Sequence, residues 1–367
     1  MWIIAGNNLF NQWCTNDVIV THFRDVPLRI PTEDLGTITK NTEIVEINWS
    51  YNIYKTNDSF YISGIWGGRK QFTKVVIPKE FNICEEHSLL VAGNDYSLLF
   101  VEKKLGKLWI MDENDGVKEI KFSEAPVDSS SKRRKENCDI RSVKAKGDNF
   151  MCLTYSGTVY IGMLPGLVNT ENCLGSICDI DCGFEHFMLL TDAGRVYTWG
   201  NGRRLQLGHG DLDNLDTPTE VEALAGIRIV KICAGGWHSA ALSEFGDLYV
   251  WGWNDIGQLG IRNNKGKEQT VSDILTTTML PTVVDVFNDC NEEIVNLNVK
   301  DFACGSRHTA IILEDNSVWT SGCNKYGQLG FNPSLYSTVP YFKKAYECNI
   351  NSKVLCGPWT TVLTTVT

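Results

Sequence analysis

The feature that most restricts this chain is a motif that occurs three times in full and a fourth time in two halves. Gly183-Phe184-Glu185-His186 leads to Trp199-Gly200 and then to Gln206-Leu207-Gly208. Gly235-Gly236-Trp237-His238 leads to Trp251-Gly252 and Gln258-Leu259-Gly260, and Gly305-Ser306-Arg307-His308 to Ser321-Gly322 and Gln328-Leu329-Gly330. The first glycine and the glutamine are 23 residues apart in each copy. A fourth copy opens at Gly357-Pro358-Trp359-Thr360 and stops at Thr367, while its second half, Gly6-Asn7-Asn8-Leu9-Phe10-Asn11-Gln12, stands at the start of the chain. A repeat divided in this way is what a ring needs when its last module is completed by its first residues, so the leading architecture is a closed toroid.

Three eroded copies fill the interval between the halves and the clear repeats. One begins near Ile44 and contains Tyr61-Ile62-Ser63-Gly64, one runs from Leu89 to Leu108-Trp109, and one runs from Ile140 to Ile161-Gly162. The total is seven modules of about 52 residues, the spacing from Trp199 to Trp251. The longer step of 70 residues from Gly235 to Gly305 predicts a surface insertion within 262–278. Each module reads as short strands: Ile229-Val230-Lys231-Ile232 and Leu248-Tyr249-Val250-Trp251 are rich in β-branched and aromatic residues, with Gly, Asp and Asn at the turns between. No stretch keeps a helical apolar period, so helices should be few. Small antiparallel sheets repeated about an axis make an all-β, seven-bladed β-propeller, closed here by a composite blade from the N- and C-termini. The repeats absorb residues 1–367, which predicts a single domain.

Composition narrows the function classes. The formal net charge is −10 and the pI about 5.2, which argues against broad binding to phosphate backbones, so no direct nucleic-acid contact is expected. No run of 18 apolar residues marks a membrane span, and the opening Trp2-Ile3-Ile4 reads as a strand with no secretory leader before it. The 13 cysteines form no Cys-x-x-Cys pair. Cys182, Cys304 and Cys356 take the position that Ala234 fills in another module, which is packing and not ligation; reduced thiols in nucleus or cytoplasm are expected.

His186, His238 and His308 invite a metal or acid–base reading. Equivalent places on successive modules lie a seventh of a turn apart, too far to converge on one ion, and the same place is read as Thr360 in the fourth copy and as Tyr96 in an eroded one. The expectation is structural: Gly183, Gly235, Gly305 and Gly357 shape the turn, and each polar side chain ties its strand to the backbone of the neighbouring loop. No nucleophile elbow, P-loop or dinucleotide fingerprint occurs, so neither an enzyme nor a cofactor is expected. The basic run Lys132-Arg133-Arg134-Lys135, in a polar segment 123–139, has the composition of a nuclear import signal, though a merely solvated loop has it too. Phe184, Trp237 and Trp359 fall in the turn at the mouth of the axial channel, with Arg203, Arg204, Trp253 and Arg307 in neighbouring register. Aromatic and arginine side chains in loops are typical anchors of protein interfaces. These seven residues are the candidate partner-binding set, against the alternative that they wedge blade against blade.

The stretch Leu190-Thr191-Asp192-Ala193-Gly194-Arg195-Val196-Tyr197-Thr198-Trp199-Gly200, together with Gly257-Gln258-Leu259-Gly260, resembles the regulator-of-chromosome-condensation family over 177–367 and 1–13. The resemblance implies a seven-bladed propeller with four-stranded blades. Gly235 to Ser239 with Trp251 to Asn254 is most similar to small single-propeller members. That similarity implies a non-enzymatic adaptor, nuclear and chromatin-linked, that partners a JmjC-type oxygenase and touches chromatin only indirectly. The family also includes guanine-nucleotide exchange factors for Ran-like small GTPases, the alternative reading. Either role fits a monomeric propeller in nucleus or cytoplasm.

Overall fold

A computed structural model describes residues 2–26, 42–56, 59–67, 69–70, 73–75, 89–94, 96–103, 107–112, 116–122, 139–262, 277–288 and 293–365. The Lys132–Lys135 run and most of the two segments 123–139 and 262–278 lie outside the described residues.

Seven antiparallel sheets are built from these residues. Numbered along the chain by their innermost strands, blade 1 starts at Glu43–Ile47, blade 2 at Leu89–Gly93, blade 3 at Ile140–Lys146 and blade 4 at Ile177–Cys182. Blades 5, 6 and 7 start at Ile229–Ala234, Val299–Cys304 and Ser352–Gly357. Six sheets have four strands; in blade 1 two short pieces, Arg69–Lys70 and Thr73–Lys74, both pair with Phe60–Trp66. Blade 7 is the composite: Thr360–Thr365 pairs with Trp2–Asn7, placing Ile3 opposite Leu363 and Gly6 opposite Thr360. The chain is thus a seven-bladed propeller closed by its own two ends. The one helix among the described residues is a turn of 3-10 helix at Glu222–Leu224.

The apolar core divides into seven slabs among the described residues, one between each pair of neighbouring blades. Phe60, Trp66, Phe100 and Trp109 fill the slab between blades 1 and 2, and Ile4, Trp13, Tyr54 and Val362 fill the one that joins blade 7 to blade 1. Every blade buries both faces, which is why its strands read as nearly continuous apolar runs: Ser97–Glu102 and His308–Leu313 are buried at all six positions. At about 25 cal/mol per Å2 of apolar surface removed from water, the slabs carry most of the stabilisation. Because each slab needs two blades, no blade can keep its core without its neighbours.

The extra length between Gly235 and Gly305 is shared between two places, not confined to 262–278. The outer strand of blade 5 begins only at Thr277, and the connection 284–298 that follows it is longer than its counterpart 221–228 after blade 4.

Candidate docking face

The turn between the first and second strands of each blade has a fixed form: two residues flanked by a closing pair. In blade 4 the pair is Gly183 and His186, whose backbones bond at 2.9 Å, and in blades 5 and 6 it is Gly235 with His238 and Gly305 with His308. The spacing follows from close approach. A Cβ on any of these three glycines would run into the imidazole of its own blade. The eroded blades drop both partners together. Their closing pairs are Asn48 and Tyr51, Asn94 and Ser97, and Lys146 and Asn149. The residue at the histidine place in blade 2 is therefore Ser97, and Tyr96 stands one position earlier, exposed.

The histidines reach a different partner from the one expected. Their Nε2 atoms meet a hydroxyl on the second strand of the next blade: Ser239 at 2.9 Å from His186, Thr309 at 3.1 Å from His238, and Thr361 at 3.1 Å from His308. Each hydroxyl donates its own proton to the carbonyl of the glutamine in the preceding blade, Gln206, Gln258 and Gln328, at 2.6 to 2.9 Å. With the hydroxyl proton used, the imidazole must donate through Nε2–H, which fixes the tautomer. Burial pushes His186 and His308 down to about 3 and His238 well below its ordinary value. These are neutral cross-blade struts. Two residues at the same place make the expected bond to loop backbone: Tyr51 in blade 1 donates to the Asn94 carbonyl at 2.6 Å, and Asn149 in blade 3 donates to the carbonyls of Gly183 and Phe184 at 3.0 and 2.8 Å.

The same turns are laced into a belt. Phe184 N–H donates to Gly236, Gly236 N–H to Ser306, and Ser306 N–H to Pro358, at 3.0 to 3.2 Å. Pro358 has no N–H, so the belt ends there. The carbonyl of Trp49, next in line, accepts side-chain donors from Asn7 at 2.8 Å and Gln12 at 3.2 Å. The loops after the third strands share this end of the ring, since successive antiparallel strands alternate direction. Their tips are set by the glutamine, whose Oε1 accepts the N–H of Phe10, Arg204, Ile256 or Tyr326.

Two aromatic clusters result. In one, Phe184 and Trp237 meet edge to face at 5.0 Å, and Trp237 meets Trp253 at 5.1 Å. Arg204 lies 4.5 Å from the Trp237 ring centroid and 4.9 Å from Trp253, and is paired with Glu185 at 3.1 Å. Arg307 covers the Trp253 ring at 5.6 Å and pairs with Asp255. Five of the seven candidate residues thus form one group spanning blades 4 to 6. Arg203 is exposed beside Arg204. Trp359 belongs instead to a second cluster, where it meets Tyr326 at 5.4 Å and Trp49 at 6.1 Å, with Phe10 5.6 Å from Trp49. All these rings are half-buried: each wedges against a neighbouring blade with one side and keeps the other accessible. Phe10 and Tyr326 were recoverable from the sequence, because they stand two residues before Gln12 and Gln328 as Arg204 stands before Gln206.

Inside the ring of turns is an axial vestibule of about 290 Å3, walled by Trp49, Phe184, Pro358 and Trp359 with Asn48 and Lys146 also in its lining. Lys146 donates to the Ala234 carbonyl at the end of the innermost strand of blade 5. Below it a channel of about 550 Å3 is lined by the inner strands, with Glu46, Lys144, Asp179, Asp181 and Lys231 in its wall. Burial raises the Glu46 carboxyl to about 8, against the pull of Lys144 and Lys146; its accessible surface faces this channel and not bulk water. Lys231 spans to Asp301 and to the Phe302 carbonyl, both at 2.5 Å.

A ring of seven such blades with these motifs defines a class. Residues 193–242 and 246–312 match the regulator of chromosome condensation (RCC1) repeat, and a second form of that repeat matches 177–206, 229–258 and 299–328. The chain is thus a seven-bladed propeller that carries regulator-of-chromosome-condensation (RCC1) repeats, matched in blades 4 to 6. Among its relatives, RCC1 domain-containing protein 1 of Mus musculus is 36% identical over 204 residues, covering 50% of this chain and 54% of that protein. The match therefore spans about half the length of that relative. Among solved structures, human WBSCR16 superposes with a TM-score of 0.72 at 15% identity over 100% of both chains. Prp20p of Saccharomyces cerevisiae superposes with a TM-score of 0.71 at 16% identity over 100% of this chain and 92% of that one. These two likenesses establish the fold.

Proposed function

We propose that the chain is a non-enzymatic interaction module that docks a protein partner on the face formed by the first turns and the third loops of its blades. The observation that carries this reading is the pair of half-buried aromatic clusters on one end of a rigid ring, the first of them roofed by Arg204 and Arg307. Tryptophan and arginine with their positions fixed beforehand bind at low entropic cost, because little side-chain freedom is left to lose. The yeast Prp20p structure is described together with that protein's binding to Gsp1p and histones, which supports a protein ligand for a propeller of this shape. The finer reading proposed here is a chromatin-linked adaptor of a JmjC-type oxygenase, acting in nucleus or cytoplasm. Among the described residues no helix is long and apolar enough to cross a membrane.

Affinity capture with a JmjC-type oxygenase as bait tests the finer reading, and quantitative binding of the recovered principal partner tests the face. Trp237→Ala and Arg203→Glu should each weaken that partner by about 1 kcal/mol or more, roughly fivefold, and Arg203→Glu should leave the melting temperature unchanged. Full affinity in both variants overturns the docking face. Accelerated release of labelled nucleotide from a Ran-like GTPase would instead make the chain an exchange factor.

A further inference from the structure

The axial vestibule departs from the repeat at three of its seven turns; Asn94 in blade 2 spends its Oδ1 on the N–H groups of Tyr96 and Ser97 in its own turn, and the other two departures each place a donor in one cavity. Where blades 4 to 7 carry glycine at the head of the turn, blade 3 carries Lys146 and blade 1 carries Asn48. Neither residue is needed to shape its turn, since the histidine that demands glycine is replaced by Asn149 and Tyr51. The Asn48 Nδ2 is buried and finds no acceptor among the described residues, a state that is unfavourable when nothing fills it. Lys146 gives one N–H to the Ala234 carbonyl, and an ammonium has three. Burial opposes its charge, yet Asp181 is chief among the groups that lift it above its ordinary value. Asp181 itself lies outside the vestibule and is engaged by the N–H groups of Cys182 at 3.0 Å and Ala234 at 2.8 Å. Glu46, the one carboxyl among the described residues of the vestibule lining, holds its proton at neutral pH because burial raises it to about 8. The cavity is therefore a cationic floor under walls of Trp49, Pro358 and Trp359, and low-polarity walls strengthen a charge-assisted contact at the floor.

We propose that this vestibule receives the carboxylate of an aspartate or glutamate on an extended segment of a protein partner, with Lys146 and Asn48 donating to it and the two tryptophans holding the apolar residue beside it. The inference rests on the docking-face reading and specifies its chemistry. Aromatic walls also suit a cation, but Lys146 at the floor repels one, which makes the sign of the preferred charge decisive.

The test uses acetylated, amidated octapeptide pools, random except at one central position fixed as Asp or Glu, as Asn or Gln, or as Lys or Arg. Their binding to the full chain is read by fluorescence anisotropy. The acidic pools are expected to bind at least tenfold tighter than the amide pools. Lys146→Met should erase that preference, Lys146→Arg should keep it, and Trp359→Ala should weaken every pool while leaving the ratio intact; melting curves verify that each variant folds. Equal binding of acidic and amide pools, tightest binding by the basic pools, a preference that survives Lys146→Met, or no binding by any pool overturns the proposal. Should the pools bind without acidic preference and lose affinity in Trp237→Ala, the docking face stands and the vestibule assignment alone fails.

Discussion

His238 shows how one side chain joins two blades. Its Nε2–H, the Thr309 hydroxyl and the Gln258 carbonyl form a buried relay in which every proton has a place. Removing the ring leaves a cavity and an unserved hydroxyl, so His238→Ala is expected to cost about 2–4 kcal/mol in chemical denaturation. The relay also sets a pH dependence. His186 and His308 are held at about 3 in the folded chain and return to about 6.5 when unfolded. Between those values the unfolded state binds the extra protons, so stability falls as pH drops through that window, by about 1.4 kcal/mol per unit for each histidine at mid-window. Glu46 and Asp179, raised by burial, act with the opposite sign above the ordinary carboxylate range. Measured proton uptake on unfolding near pH 5 should fall by about one in His186→Gln, and no change there would refute the strut. The sequence led to a structural expectation for these histidines, because the fourth copy has Thr360 at their place. It did not disclose the hydroxyl partner, which lies 53 residues away for His186 and His308 and 71 for His238.

At the scale of the turn, glycine and histidine form a unit. Gly235→Ala drives a methyl into the His238 ring and is expected to cost about 1–3 kcal/mol. In a His238→Ser background the same change should cost much less, and the double-mutant cycle measures the coupling directly. Additivity would mean that something other than the ring excludes the side chain. The eroded blades were legible as modules and not as turns: Tyr96 takes the expected place only if Gly93 is read as the head of the turn, one residue too early, and backbone pairing between Asn94 and Ser97 decides it. The candidate interface was half legible for a related reason. Phe184, Trp237, Trp253, Arg204 and Arg307 follow from register within intact repeats, whereas Trp49 stands in an eroded one and Phe10 in a split one. Lys146 and Asn48 carried no motif at all, since their meaning lies in being the exceptions.

For the molecule as a whole, closure depends on the ladder between Trp2–Asn7 and Thr360–Thr365. Deleting 353–367 removes two strands of blade 7 and opens two slabs, those against blades 6 and 1. The expected outcome is loss of cooperative unfolding and of the native circular dichroism spectrum, not a modest shift in melting temperature. A truncated chain that melts as sharply as the parent would show that the ring does not need its clasp. That the count is seven could be read from spacing alone, because a repeat leaves its period in the sequence even where its residues have drifted.

Since blade 7 knits the opening and closing strands into one ladder, the backbone has no privileged place to start. A gene rearranged so that Thr364 runs through a short glycine–serine bridge to Trp2, with new termini cut between Lys55 and Phe60, should encode the same toroid, fastened at blade 1 in place of blade 7.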